Sequence, residues 1–305
     1  MLGPGGEKAL VLYWSLTGST KKVADSVAEG LRDSGAACAV HDLRTAAPPD
    51  VLDFDMVGFG YPVHYYRPPQ PVIESIRGLD LTGRSVFSFC LHGTYRGAGL
   101  NRARDALLRA GGTEIGAFAC HGGGGFYPYM RRGWTFSAGH PDEKDLADAR
   151  SFGASLVSLH AAVRRGETVP LPARDPRTHP MYAIERLAAH PWLARVFYYR
   201  FIRAIPERCT RCGLCARLCP AHAITWARGE RPVWGPECML CLNCVTVCPE
   251  AAVVCPIDWA LFRPFISWNV KRALRDPLLD RAPVALRRGK AVRLDDPESQ
   301  PQVRS

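Results

Sequence analysis

Eight of the chain's twelve cysteines stand in two copies of one spacing. The first copy is Cys209-x2-Cys212-x2-Cys215-x3-Cys219-Pro220. The second, displaced by 29 residues, is Cys238-x2-Cys241-x2-Cys244-x3-Cys248-Pro249. Three thiolates at two-residue intervals let a tight loop wrap one iron–sulfur cubane, while the fourth, followed by proline, points away and ligates the opposite cubane. The spacing therefore predicts two [4Fe–4S] clusters. One takes Cys209, Cys212, Cys215 and Cys248, and the other takes Cys238, Cys241, Cys244 and Cys219. Zinc needs four ligands, usually as two C-x2-C pairs. It leaves the third cysteine and the Cys-Pro of each copy without a purpose.

Small or apolar residues such as Gly213, Leu214, Leu240, Leu242, Val245 and Val247 fill the intervals and limit water near the sulfurs. Arg211 and Arg217 lie inside the first motif, and the second has no charge inside it. Positive charge near a cluster stabilises its reduced form, so the two clusters are expected to differ in potential. Cys255, which follows the second motif, reads as packing rather than as a ligand. This stretch of about fifty residues resembles the bacterial-type two-cluster ferredoxins.

A second candidate site lies near the start, at Ser15-Leu16-Thr17-Gly18-Ser19-Thr20. It follows an apolar run and opens a helical pattern. Free N–H groups at a helix start favour an anion, and hydroxyls add donors, so the loop reads as a phosphate cradle. Ordinary N-capping by one Ser or Thr is the simpler alternative. The loop matches neither the G-x-x-x-x-G-K-[ST] nor the G-x-G-x-x-G pattern.

The elements that position these residues alternate. Apolar runs at Ala9–Trp14, Ala36–His41, Met56–Gly60, Arg84–Cys90 and Glu114–Cys120 read as five strands. Lys21–Arg32, Asn101–Ala110 and Asp142–Arg165 read as helices, the last with acids in its first turn and arginines in its last. Such alternation predicts an α/β fold with a five-stranded parallel sheet and helices on both faces. Beyond it, Val169–Pro180 holds four prolines and reads as an extended connection, and Met181–Ile205 reads as helical with an interruption at Pro191. Ile257–Leu279 is apolar and aromatic, a docking segment. From about Arg281 the chain turns polar, and its last residues are expected to be disordered.

Residues 9–165 resemble flavodoxins, whose first loop is similar to S-x-T-G-x-T. The resemblance extends to Gly60-Tyr61-Pro62-Val63-His64-Tyr65-Tyr66 and to His92-Gly93-Thr94-Tyr95-Arg96-Gly97-Ala98-Gly99. It implies FMN. Ser15, Thr17, Gly18, Ser19 and Thr20 would hold the phosphate, and Pro62, Val63, His64, Tyr65, His92, Gly93, Tyr95 and Gly97 would grip the ring at the carboxyl ends of the strands. Tyr65, Tyr66 or Tyr95 would stack on it. Flavodoxins usually surround the ring with acidic or neutral residues, whereas these loops carry His64, Arg67 and Arg96. If those face the ring, the fully reduced flavin is easier to form. The glycines Gly122–Gly125, before Phe126 and Tyr127, read as a further loop near the pocket.

The whole order, residues 1–165 as the flavodoxin-like domain, 166–206 as a linker with a helical segment, 207–256 as a small α+β two-cluster ferredoxin domain and 257–305 as docking segment and tail, resembles the flavodoxin–ferredoxin fusion proteins of anaerobes. The resemblance implies an electron-transfer iron–sulfur flavoprotein. An enzyme reducing a small substrate with the clusters as its electron feed is the alternative. Its proton donors would come from His64, His92, Tyr95, Arg96 and His121, and no catalytic residue is assigned. A redox-sensing binding module is the third reading. With 305 residues, 47% of them hydrophobic, the chain can build more than one core. The net charge is +10 and uneven. Residues 1–165 hold 18 Lys+Arg against 16 Asp+Glu, and residues 166–305 hold 21 against 13. That balance suits an acidic redox partner or a membrane surface, and no nucleic acid is expected. No signal peptide and no apolar run of spanning length is visible, so a reducing cytoplasm is expected.

Overall fold

The computed structural model describes residues 6–123, 125–171, 173–175, 180–287 and 290–293. The chain forms two compact units. The first comprises 1–123 and 139–179, and the second 124–138 and 180–305.

In the first unit five strands form one parallel sheet: β1 (Lys8–Tyr13), β2 (Ala37–Asp42), β3 (Met56–Pro62), β4 (Ser85–His92) and β5 (Thr113–His121). Their order is β2-β1-β3-β4-β5, a doubly wound arrangement whose switch point lies between β1 and β3. The five strands are those the apolar runs predict, within a few residues at each end. Strands β1, β3 and β4 are buried almost throughout, as a sheet covered on both faces requires. Helices α1 (Ser19–Asp33), α2 (Gln70–Arg77), α3 (Gly99–Arg109) and α4 (Glu143–Arg164) connect and cover it. The α2 helix has no counterpart among the sequence expectations. It is short, and a proline at its second position disguises its start.

Helices α1 and α4 pack with their backbones close together. A Cβ on Gly30 would stand 1.9 Å from the Arg150 carbonyl oxygen, and one on Gly153 would stand 2.1 Å from that of Val27. This approach seats Val23, Val27, Leu31 and Leu156 in one core with Val11, Phe87 and Phe89. It also fixes the N-terminus of α1, and with it the Ser15–Thr20 loop. Residues 173–175 are tied back to this unit. The Asp175 N–H donates to Asn101 Oδ1 at 3.0 Å, and the Arg174 guanidinium meets Asp105 at 2.8 Å. The remainder of the predicted extended connection, 172 and 176–179, lies outside the described residues.

In the second unit the expected helical segment appears as helices Pro180–Ala188 and Pro191–Val196, followed by a 3-10 turn at Tyr198–Phe201. The interruption sits at Pro191, as expected. Around the cysteines, Arg203–Ala204 pairs antiparallel with Val253–Val254, and Ile224–Thr225 with Val233–Trp234. The aromatic segment forms a helix at Arg263–Arg275.

The polar C-terminal stretch departs from expectation. Arg281–Arg287 is a strand that pairs with Lys290–Arg293 and with Trp134–Phe136. Alternate residues Ala282 and Val284 are buried under it, a period-two pattern that its arginines obscure. Residues 294–305 lie outside the described residues. Of the glycine loop Gly122–Gly125, Gly122 and Gly123 belong to the first unit and Gly125 to the second, while residue 124 lies outside the described residues. Phe126–Ala138 belongs to the second unit, and its Trp134–Phe136 strand supplies the partner for Ala282 and Pro283.

A Gly153→Ala variant should test the helix contact. Alanine favours a helix by about 1 kcal/mol over glycine, yet the forced separation of α1 and α4 should leave a net loss of ~2 kcal/mol. Urea unfolding followed by far-ultraviolet circular dichroism measures this, and an unchanged or raised midpoint would refute the contact.

Candidate cofactor sites

The eight cysteines gather into two groups of four. One cavity is lined by Cys209, Cys212, Cys215 and Cys248, together with Ala204, Gly213 and Pro249. Another is lined by Cys219, Cys238, Cys241 and Cys244, together with Ile202, Trp234 and Leu242. Each cavity draws three cysteines from one copy of the motif and one from the other. Cys255 is buried and lines neither cavity.

The backbone repeats with the motif. Arg211 and Gly213 flank Cys212 with φ of 58° and 69°, and Leu240 and Leu242 flank Cys241 with φ of 56° and 62°. His222 and Ala251 repeat the same conformation, with φ of 48° and 47°. Left-handed residues without the freedom of glycine are strained. Here each occurs twice at the same place. Alternating handedness turns successive N–H groups toward one point and forms an anion-binding nest. Side chains fill the outside of the turn, where a Cβ on Gly213 would stand 2.5 Å from the Trp226 ring. Two backbone N–H groups also donate to sulfur at matching positions, Ala223 to Cys219 Sγ and Ala252 to Cys248 Sγ, each at 3.3 Å.

Burial pushes the thiols of Cys215 and Cys238 up to about 11 and that of Cys241 up to about 12. Cys244 is pushed well up by the same cause. Trp234 is buried, and among the described residues its Nε1 has no nitrogen or oxygen partner. A buried N–H left so is costly unless a group in the cavity accepts it. A thiolate cluster is such a group, and the donor set of four sulfurs, amide nests and an orphaned indole N–H fits one. Spacing alone does not reveal Trp234, since only the pairing of Ile224–Thr225 with Val233–Trp234 carries it over the cysteines. Arg217 and Arg211 are exposed. Arg217 donates to the Cys212 carbonyl at 2.7 Å, and Arg211 donates to that of Gly229 at 3.2 Å.

At the other site, Gly18 stands before α1 at φ 89°, and its N–H donates to Ser15 Oγ at 3.0 Å. No side chain caps α1, so the hydroxyls of the loop are not spent on capping and the first-turn N–H groups remain to meet an anion. Ser15 and Thr20 are buried, Ser19 is half-buried, and Thr17 is exposed with Oγ1 3.3 Å from Ser19 Oγ. The donor set fits a phosphate group.

The loops after β3 and β4 meet beside it. His64 and Arg67 exchange backbone hydrogen bonds at 2.9 and 3.1 Å, closing a tight turn with Tyr65 and Tyr66 both left-handed, at φ 48° and 61°. The turn buries Tyr66, whose Cβ leaves no room for a side chain on Gly97, and leaves Tyr65 half-buried. Pro62, Val63, His92, Gly93 and Tyr95 are half-buried around it, and the Val63 N–H donates to the Leu91 carbonyl at 2.8 Å. Of the expected stacking residues, Tyr66 is committed to packing, while Tyr65 and Tyr95 keep exposed surface.

The positive charge expected at this site is largely cancelled. Burial pushes the His64 imidazole down to about 4, so it is neutral, and its ring lies edge-on to Trp14. Arg96 is paired with the buried carboxylate of Asp175 at 2.7 Å. The sequence places Asp175 in a proline-rich connection and gives no sign of this pairing. His92, lowered to about 4 chiefly by burial, donates through Nδ1 to the Thr94 carbonyl at 3.1 Å. It heads a row of imidazoles, with ring centroids 4.6 Å from His92 to His121 and 5.5 Å from His121 to His140. His140 Nδ1 meets Asp145 Oδ2 at 2.5 Å, where Asp142 and Asp145 cap α4 reciprocally.

These imidazoles give the fold a pH dependence. Unfolded His64 and His92 titrate near 6.5, above their folded values, so the unfolded state binds more protons as pH falls. Stability is complete above that value and is lost between about 6.5 and about 4. Each histidine should cost up to about 2 kcal/mol between pH 7 and pH 5. Urea unfolding at both values should show the loss, and His64→Asn or His92→Asn should reduce the difference. Equal pH dependence in variants and wild type would refute the assignment.

Comparison with known proteins matches this division of sites. A flavodoxin-domain family model matches residues 10–133, and a 4Fe-4S dicluster-domain model matches residues 201–249. No curated protein matches the chain. Among solved structures, a flavodoxin from the domain Archaea is 16% identical, covering 50% of this chain and 99% of its own, with a TM-score of 0.40. The Streptococcus pneumonia TIGR4 flavodoxin is 19% identical, covering 50% and 98%, with a TM-score of 0.40. Rubredoxin oxygen:oxidoreductase from Desulfovibrio gigas is 18% identical, covering 51% and 37%, with a TM-score of 0.40. The first domain implies FMN and the second implies iron–sulfur clusters, so the protein is an iron–sulfur flavoprotein of electron transfer. The chain joins a flavodoxin domain to a 4Fe-4S dicluster domain, the make-up of a flavodoxin–ferredoxin fusion.

Proposed function

We propose that the protein is an electron carrier in which FMN exchanges electrons with two [4Fe–4S] clusters on behalf of a separate redox partner. The observation that carries this reading is the crossed grouping of the cysteines into two cavities. Cys209, Cys212, Cys215 and Cys248 hold one cluster, and Cys238, Cys241, Cys244 and Cys219 hold the other. Ser15, Thr17, Gly18, Ser19 and Thr20 hold the FMN phosphate. Pro62, Val63, His64, Tyr65, His92, Gly93, Tyr95 and Gly97 border its ring. FMN supplies two-electron chemistry, and each cluster supplies single-electron transfer. The protein's own contribution is to exclude water, to aim N–H groups at the sulfurs and to hold His64 neutral beside the ring. A reducing cytoplasm suits cysteines that serve as cluster ligands, and a net charge of +10 suits an acidic partner.

The row His92–His121–His140–Asp145 favours a second reading, reduction of a small substrate. Two-electron reductions consume protons that clusters do not carry, and a file of imidazoles can deliver them. Reoxidation of the reduced protein by an added substrate, slowed by His121→Gln, would support it.

Two measurements test the carrier reading. Anaerobic analysis of the purified protein should find about eight iron and one FMN per chain, and stepwise reduction should then give the order in which the centres fill. Zinc, or no iron, would overturn it. Trp234→Phe removes the buried indole N–H that lines the cavity of Cys219, Cys238, Cys241 and Cys244. Because hydrogen bonds to sulfur raise a cluster's potential, EPR-monitored titration should show one midpoint moving negative. Arg217→Gln should move the other, and by less, since its charge is exposed and screened. A Trp234→Phe protein with both midpoints unmoved would remove the indole from any role at the cluster.

A further inference from the structure

In the second unit the strip from Pro191 to Arg203 is apolar on both of its sides. Ala194, Tyr198 and Ile202, four residues apart, are buried inward. Core packing therefore accounts for that stripe and not for the outward one. Outward, Trp192 is 61% exposed, with Val196, Phe197 and Phe201 exposed beside it. Trp259 joins them, its ring centroid 5.1 Å from that of Phe201, and Phe201 lies 4.8 Å from Phe197. Scattered exposed apolar residues are ordinary, whereas a contiguous set of large ones marks a surface that is covered in use.

Charge selects the cover. Between Glu185 and Glu207 the chain has no acidic residue. The exposed charges on the strip are Arg195, Arg200 and Arg203, and Arg200 lies over the Tyr199 ring at 5.7 Å. Tryptophan and phenylalanine interleaved with arginine form the composition that rests in a lipid headgroup layer, rings in the acyl boundary and guanidinium groups on phosphate. No helix among the described residues is long and apolar enough to cross a membrane, so any such contact lies at the surface.

We infer that this aromatic and arginine-bearing face docks the protein on an anionic lipid bilayer. Ile202, on the inward stripe, lines the cavity of Cys219, Cys238, Cys241 and Cys244. Docking therefore brings the second group of cysteines close to the membrane surface. A soluble acidic protein could meet the arginines, but it would not account for so many large apolar side chains around them.

Sedimentation of the full-length, cofactor-loaded protein with vesicles tests this without any redox readout. Vesicles of phosphatidylcholine with about 30% phosphatidylglycerol should carry the protein down, and phosphatidylcholine alone should do so weakly. Raised salt should weaken the binding. The exposed double substitution Trp192→Ser/Phe201→Ser should lower the anionic partition at least tenfold, and Arg200→Gln/Arg203→Gln should lower it while leaving iron content unchanged. No sedimentation with anionic vesicles would overturn the inference, as would equal binding to neutral ones or undiminished binding by the aromatic variant. Should the double variant lose iron, Trp192→Ser alone, at the most exposed ring, gives the same test. Binding of an acidic redox protein through this face, without vesicle binding, would assign it to a protein partner and also overturn the inference.

Discussion

A backbone that passes through the left-handed region turns successive N–H groups toward one point, and the chain uses this device at both of its proposed anion sites. Gly18 does it before α1, and Arg211, Gly213, Leu240 and Leu242 do it around Cys212 and Cys241. Phosphate and a thiolate-bound cluster are both negative and both bulky. Amide dipoles stabilise such groups without bringing mobile side-chain charges close. Only two of these positions are glycine. At Arg211, Leu240 and Leu242 the strain is maintained by the short strand pairs on either side, Arg203–Ala204 with Val253–Val254 and Ile224–Thr225 with Val233–Trp234. The cysteines are thus presented by a frame whose cost is offset by burial of Val245, Ala252 and Val253.

The loops after β3 and β4, the proposed flavin site, handle charge differently. A basic residue beside the ring favours the reduced, more negative flavin, and the loops carry three such residues in sequence. The fold neutralises two of them by separate means. Removing His64 from water makes its proton costly, and Asp175 supplies Arg96 with a counter-charge from a distant part of the chain. The local electrostatics therefore lie closer to those of a neutral site than the loop sequences imply. The double left-handed turn at Tyr65 and Tyr66 belongs to the same arrangement. It packs Tyr66 against Gly97, joins the two loops and leaves Tyr65 at the rim.

Much of this was legible in the residues because the relevant signals are local. The five strands are short apolar runs between helical patterns, and the parallel order follows from alternation. The cysteines announce their grouping by spacing, and the Ser15–Thr20 loop stands out by hydroxyl density at a strand end. What escaped was long-range or disguised. Trp234 and Asp175 act through residues far off in sequence, and nothing in their immediate neighbours differs from a surface strand or a proline-rich connection. Arg281–Arg287 buries Ala282 and Val284 in alternation, yet the arginines at its two ends and the polar residues beyond it dominate any reading by composition. Its partner, Trp134–Phe136, lies inside the stretch 1–165 that reads as the first domain.

That pairing has a consequence for how the protein can be divided. The chain passes between its two units after residue 123, after 138 and after 179, so the order of domains along the sequence is not the order of compact units. A cut near residue 165 would leave Trp134–Phe136 with the first fragment and Arg281–Arg287 with the second. Trp134–Phe136 would lose its strand partner, Arg281–Arg287 would keep Lys290–Arg293 but expose its other edge, and exposed edges invite association with other chains. The first fragment would also lose residues 173–175, and with them the Asp175 carboxylate that balances Arg96. Burial of Tyr127, Tyr129, Met130 and Phe136 ties the excursion into the core of the second unit. The second unit is therefore built from two separate stretches of the chain, one of them drawn from within the stretch that forms the first.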